Sequence, residues 1–226
     1  GFLWVGTQEG LARFDGIEFR VFGPGNTPAF RQSRVYAMEV DAAGDLWVGT
    51  LAGVLRYHNG NVTAWTTDSG LSNDLVYAVC AGPRGRVYIG TRDGLDVLAN
   101  GHIRSLSSEL GLRELVVSSL AVDPAASVLW VGTPDEGLIR IEGDEHLRIT
   151  EADGLPSDRI NDLVVDEAGR LWVATFSGLG VVDRDRVSAY DAASGLSGSD
   201  IQALHADPSG AIWIGTSSSG LNRIQD

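Results

Sequence analysis

The chain has 226 residues, 43% of them hydrophobic, and a formal net charge of −13. All 17 basic residues are arginine and no basic run occurs, so neither nucleic-acid phosphates nor an anionic membrane surface finds a cationic patch. The single cysteine, Cys80, excludes an intrachain disulfide, and its apolar neighbours Ala78, Val79 and Ala81 predict a buried side chain.

The first predicted element is a strand, Leu3-Trp4-Val5-Gly6-Thr7, and the same pattern returns along the whole chain. It reappears as Leu46 to Thr50, Val87 to Thr91, Leu129 to Thr133, Leu171 to Thr175 and Ile212 to Thr216. The closing threonines stand 43, 41, 42, 42 and 41 residues apart. A fixed period in this range is the mark of one supersecondary unit copied in tandem.

The unit is clearest in its second copy. Strand A runs over Val35–Asp41, Ala42 to Asp45 make a turn, and strand B is Leu46–Thr50. A second turn leads into strand C, Val54–Tyr57, and Asn59-Gly60 is a two-residue hairpin signal before strand D, Val62–Trp65. Four short antiparallel strands per period predict an all-β fold, a β-propeller of four-stranded blades. About five to six blades are expected in the chain, as an open arc of a larger ring. No segment carries a 3.6-residue apolar period over three turns, so helix is not expected.

Trp4, Trp47, Trp130, Trp172 and Trp213, with Tyr88 in the one remaining copy, occupy matching places in strand B and are expected to pack between blades. The first copy supplies B, C and D, and the last stops after C at Asn222-Arg223-Ile224. The chain opens inside a strand and its only methionine is Met38, so residues 1–226 are read as one propeller segment of a longer protein, incomplete at both ends.

The pattern from Val35 to Tyr57 resembles the two-component regulator propeller repeat. The linkers Gly70-Leu71-Ser72-Asn73-Asp74 and Gly154-Leu155-Pro156-Ser157-Asp158 match that family's inter-blade signature, and Glu9 to Gly16 is similar to its first repeat. The resemblance implies a periplasmic sensor ectodomain of an inner-membrane protein, with a histidine kinase or diguanylate cyclase elsewhere in the protein. It further implies a small polar or carbohydrate ligand, a homodimer of the full receptor, and no membrane contact by this segment. Ala174 for the usual glycine, Gly82 for the aspartate closing strand A, and Ala125-Ala126-Ser127 without a turn glycine are its departures.

In a propeller the D–A linkers and B–C turns open on one end of the blades, and the A–B and C–D turns on the other. The D–A linkers are the long, variable ones, which favours their end for binding. Candidate ligand-binding residues there are Arg31, Arg34, Asn73, Asp74, Arg92, Asp93, Arg113, Glu114, Arg159, Asn161, Phe176, Asp200 and Gln202, with Ser199 beside them. Arginine forks, carboxylates and amides near an aromatic ring suit a polar sugar. Each is equally a solvated loop tip in the plainer reading. Phe176 stands out because other copies carry small or polar residues in that turn.

The repeated Gly-Thr pair is no phosphate loop, since no glycine-rich strand-to-helix turn and no lysine accompany it; the threonines are expected to satisfy local backbone groups. The Asp-x-x-Gly turns lack the spaced ligands of a calcium loop and read as β-turns. No cofactor, metal or catalytic residue is expected. His58, His102 and His146 flank C–D hairpins, and His205 is expected to be a buried strand residue. A protein-interaction scaffold and a propeller lyase or hydrolase are the alternative readings. An apolar patch on a loop face would favour the first, and converging acid–base groups the second.

Overall fold

The structure, a computed structural model, describes residues 2–112, 114–123, 125–184 and 186–225. Two compact units divide the chain, Gly1–Val117 and Ser118–Asp226. Among the described residues the strands form six antiparallel sheets, three in each unit, and each sheet is one copy of the repeat.

In the first unit, blade 1 holds β1 (Leu3–Thr7), β2 (Gly10–Phe14) and β3 (Phe19–Phe22). Blade 2 holds β4 (Val35–Val40), β5 (Leu46–Thr50), β6 (Gly53–His58) and β7 (Asn61–Trp65). Blade 3 holds β8 (Val76–Ala81), β9 (Val87–Thr91), β10 (Gly94–Ala99) and β11 (His102–Ser105). In the second unit, blade 4 holds β12 (Ser119–Asp123), β13 (Val128–Gly132), β14 (Leu138–Glu142) and β15 (Glu145–Ile149). Blade 5 holds β16 (Ile160–Val165), β17 (Leu171–Thr175), β18 (Gly178–Asp183) and β19 (Arg186–Tyr190). Blade 6 holds β20 (Ile201–Ala206), β21 (Ile212–Thr216) and β22 (Leu221–Ile224). Blade 1 thus carries strands B, C and D, and blade 6 carries A, B and C.

Within each unit the A strands of successive blades lie side by side, β4 on β8, and β12 on β16 on β20. The strand-B glycine makes this approach possible. A Cβ at Gly49 would come within 2.9 Å of Val76, and one at Gly90 within 2.4 Å of Val117. At Gly132 it would stand 2.7 Å from Ile160 and closer still to Ser119 Oγ, so a branched residue at or just before the next A strand occupies the missing side chain's place. In blade 5 Ala174 holds the glycine's place, fully buried in one cluster with Ile201.

The strand-B rings have a shared setting. Trp47, Trp172 and Trp213 donate their indole N–H to Asp41, Asp166 and Asp207 at 2.9, 2.8 and 2.9 Å. The other oxygen of each carboxylate accepts two backbone N–H groups of the A–B turn, which makes the repeated aspartate a turn brace. Arg56 and Arg223, the register partners of Trp47 and Trp213, lie over those rings at 5.7 and 5.4 Å; in blade 5, where Val181 faces Trp172, Arg170 covers the ring at 5.5 Å instead.

Blade 3 changes all three members together. Tyr88 replaces the tryptophan, Val97 faces it, and Gly82 replaces the aspartate; a Cβ at Gly82 would lie 2.5 Å from the Tyr88 ring. The departure at Gly82 is therefore matched to its ring. At the glycine-free A–B turn of blade 4, Ser127 adopts the left-handed φ of 57° that Gly44, Gly169 and Gly210 supply elsewhere.

Trp47, Trp130 and Trp172 are buried in clusters with the next blade, and Trp4, Tyr88 and Trp213 are half-buried. Other expectations need correction. Cys80 is half-buried, not enclosed. His205 is exposed: β20 leaves alternate residues open to solvent on the face where His205 pairs with Trp213. A one-turn α-helix, Leu106–Glu109, does occur, started by Ser105 Oγ accepting from the Ser108 N–H; it is far shorter than any apolar period could reveal. No helix among the described residues is long and apolar enough to cross a membrane.

Candidate functional site

The D–A linkers and B–C turns meet at one end of each blade, and backbone hydrogen bonds tie them together. Gly53 N–H donates to the Asp74 carbonyl at 2.7 Å, Gly137 N–H to Asp158 at 2.9 Å, and Ser217 N–H to Asp200 at 2.9 Å. The threonines hold the turn itself, as the sequence leads one to expect. Thr50 Oγ1 donates to the Gly53 carbonyl at 2.9 Å and accepts the Ala52 N–H at 3.0 Å, and each of the other five blades repeats the pair.

On this frame some candidates are spent on architecture. Asp74 Oδ1 accepts the Thr67 N–H at 2.6 Å, as Asp158 accepts that of Glu151 at 2.7 Å. Asn73 donates to Asp93 at 2.5 Å and accepts from Leu75 N–H at 2.8 Å. Arg31, Arg92 and Glu114 are exposed at separate points. Arg113 lies outside the described residues.

Two groupings remain, one per unit. In the second unit Arg159 lies 5.1 Å over the ring of Phe176, which is 48% exposed, and the Phe176 N–H donates to the Arg159 carbonyl at 3.2 Å. Beside them Asn161 donates to the Ile201 carbonyl at 2.7 Å and to Asp200 at 3.4 Å, while Gln202 donates to the same Asp200 oxygen at 2.6 Å. Deeper in β16, burial pushes the Asp162 carboxyl up from its ordinary pKa, although the Leu204 and Leu163 N–H groups donate to it at 2.7 and 2.9 Å.

In the first unit Arg34 lies 5.1 Å over Tyr36, which meets Tyr77 edge to face at 5.4 Å. Sequence reasoning missed both tyrosines. They occupy the bulge at the start of β4 and β8, the place that Asn161 and Gln202 hold in β16 and β20. A bulge re-aims the side chain it carries. The 41-residue spacing of Tyr36 and Tyr77, repeated by Asn161 and Gln202, was the available signal.

The opposite end of the blades holds clefts as well. Between blades 1 and 2 lies one of ≈ 460 Å3, and between blades 4 and 5 one of ≈ 590 Å3. The first is walled by Phe2, Trp4, Leu46 and Tyr57 with Asp45 and His58; the second by Trp130 with Arg140, Arg184, Asp123, Glu167 and Asp183. Blade 1 also exposes an apolar sheet face, with Leu3 59%, Phe19 60% and Val21 54% accessible; this patch lies on a sheet and not on a loop end. Among the described residues no three His, Cys, Asp or Glu side chains gather as a metal site.

Several solved structures superpose on this chain over nearly its whole length. The extracellular domain of a hybrid two-component system of B. thetaiotaomicron superposes with a TM-score of 0.80 at 21% identity, over 99% of this chain and 32% of that one. The extracellular domain of a one-component system of the same organism gives 0.69 at 22% identity, over 99% and 36%. Virginiamycin B lyase of Staphylococcus aureus gives 0.74 at 13% identity, over 100% and 81%. At such identities the likeness establishes the fold, and the chain spans about a third of the length of the two extracellular domains. No curated protein matches it. Residues 29–52, 154–177 and 195–218 match the family model described as two component regulator propeller.

Proposed function

We propose that this chain is the ligand-sensing propeller segment of a membrane-bound signal-transduction receptor, with its blades forming part of a seven-bladed ring on the periplasmic side. Kinase or cyclase chemistry belongs to a module outside these residues. The B–C and D–A end recognises a small polar ligand such as an oligosaccharide, and binding shifts the receptor between signalling states.

The observation that carries this reading is the second unit's grouping: an exposed ring under a guanidinium, beside two amides that share one carboxylate oxygen. An aromatic face for the apolar side of a pyranose next to fixed polar groups is the composition of a sugar subsite. The match of three segments to the two component regulator propeller model and the fold likeness to the extracellular domain of a hybrid two-component system support the same reading.

The test is a panel of neutral and acidic oligosaccharides titrated into the receptor, with reporter output and calorimetry as readouts. Phe176→Ala and Arg159→Ala are each expected to weaken the response about ten-fold while leaving thermal unfolding near wild type. An undiminished response in both variants removes the second unit's grouping from recognition.

A further inference from the structure

The cleft between blades 1 and 2 has a preformed aromatic wall. Trp4 meets Tyr57 at 4.8 Å in an edge-to-face contact, and Phe22 backs both rings at 5.8 and 5.6 Å. Arg13 donates to the Tyr57 hydroxyl at 3.0 Å and lies 4.1 Å over Phe2, so the rings lining the cleft are held from behind. A volume of ≈ 460 Å3 falls in the range of small-molecule sites, which combine apolar walls with a few placed polar groups.

The placed polar group is His58. Its Nδ1 pairs with Asp45, whose side chain is 4% exposed and also accepts from Arg56 Nε at 2.8 Å. Burial opposes ionisation of Asp45, yet the His58 and Arg56 hydrogen bonds outweigh it and hold its pKa below the ordinary value. A carboxylate can only accept, so Nδ1 carries the proton and Nε2 is the ring nitrogen left to accept. Asn59 Nδ2, 3.1 Å from Nε2, supplies a donor to it. The Asp45 and Arg56 charges cancel behind the imidazole. What the cleft offers is therefore aromatic surface and one oriented acceptor.

We infer that this cleft binds a small planar aromatic molecule carrying an N–H or O–H donor. The ring packs against Trp4 and Tyr57, and its donor takes the place of the Asn59 amide on His58 Nε2. The matching cleft of the second unit is lined by arginines and carboxylates, so the preference comes from Asp45, His58 and the aromatic wall and not from the blade architecture. This site is built from A–B and C–D turns, the proposed sugar subsite from B–C and D–A segments, and the two stand or fall separately.

Indole and phenol are the probes, with 1-methylindole and anisole as shape-matched compounds without a donor, titrated by calorimetry into the whole chain. Indole is expected to bind saturably and 1-methylindole about five-fold more weakly, the worth of one hydrogen bond. His58→Ala, at a half-exposed position, should remove that preference while keeping ring binding. Asp45→Asn should do the same by releasing the tautomer, and Trp4→Ala should abolish binding of both probes. If Asp45→Asn fails to fold, His58→Ala alone decides. Equal affinity for the donor and methylated probes in the wild type, or no saturable binding of either, overturns the inference.

Discussion

Blades 3 and 6 anchor the incoming linker to strand C with one geometry and two different chemistries. In blade 3, Ser72 donates its N–H to Asp96 at 2.8 Å and its hydroxyl to the other carboxylate oxygen at 2.6 Å. In blade 6, Ser197 donates its N–H to Asn222 at 3.0 Å and accepts from the same amide at 2.9 Å. Asp96 is fully buried, whereas Asn222 is half-buried. Blade 5 has neither bond: Pro156 stands in the serine's place and Gly180 faces it. The two positions thus vary as a pair, and a buried acid occurs where the serine supplies two donors.

The comparison breaks most severely at Asp96→Ala. The substitution leaves the Ser72 N–H without its acceptor, leaves the hydroxyl only its 3.3 Å bond to Ser105, and opens a small cavity, at an expected cost of about 2–4 kcal/mol in denaturant unfolding. A loss below about 0.5 kcal/mol, the scale of an ordinary surface change, would mean the joint contributes nothing. Gly180→Asn comes next. Its Cβ would stand 3.3 Å from Leu155 and Val173 and 3.4 Å from Pro156, so overpacking should cost about 1–3 kcal/mol. Adding Pro156→Ser should recover part of that by building the blade 6 bond, and strictly additive effects in the double-mutant cycle would refute the pairing.

The smallest effect sharpens the contrast. Burial pushes the Asp96 carboxyl above its ordinary pKa, against the hydrogen bonds from Ser72 and Ser105. A raised folded-state value means the stabilising contribution is complete below the unfolded pKa of about 3.9 and is lost as pH climbs through the folded value. Asp96→Asn, which copies blade 6, should raise the thermal midpoint at pH 7 and show no advantage near pH 4. An asparagine variant less stable at neutral pH would show that the ionised form is the favoured partner of Ser72.

Nearly all of the fold was legible in the sequence because every strand, turn and linker is printed several times with constant punctuation. The A–B, B–C and C–D boundaries of blade 2 fall within a residue or two of their expected places. The site was legible only in part. Arg159, Phe176, Asn161, Asp200 and Gln202 do come together, because the same linker and turn positions adjoin in every blade. Asp74 misled because a linker carboxylate bonding its own backbone looks like a loop-tip ligand until Asp158 is seen doing likewise. Tyr36 and Tyr77 hid inside apolar strands, where a bulge cannot be read from residue types. The Asp45–His58 pair joins a turn and a hairpin 13 residues apart, a link that depends on the strand register.

The threonine that closes each B–C corner has a consequence for exchange between relatives. Its hydroxyl reaches the glycine three residues ahead in blades 1, 2, 3 and 5 and four residues ahead in blades 4 and 6, with the flanking strands paired alike. Each corner is therefore insulated, and a graft of one extra or one fewer residue at a tip should leave the sheets beneath it undisturbed. New specificities can be tried there one loop at a time.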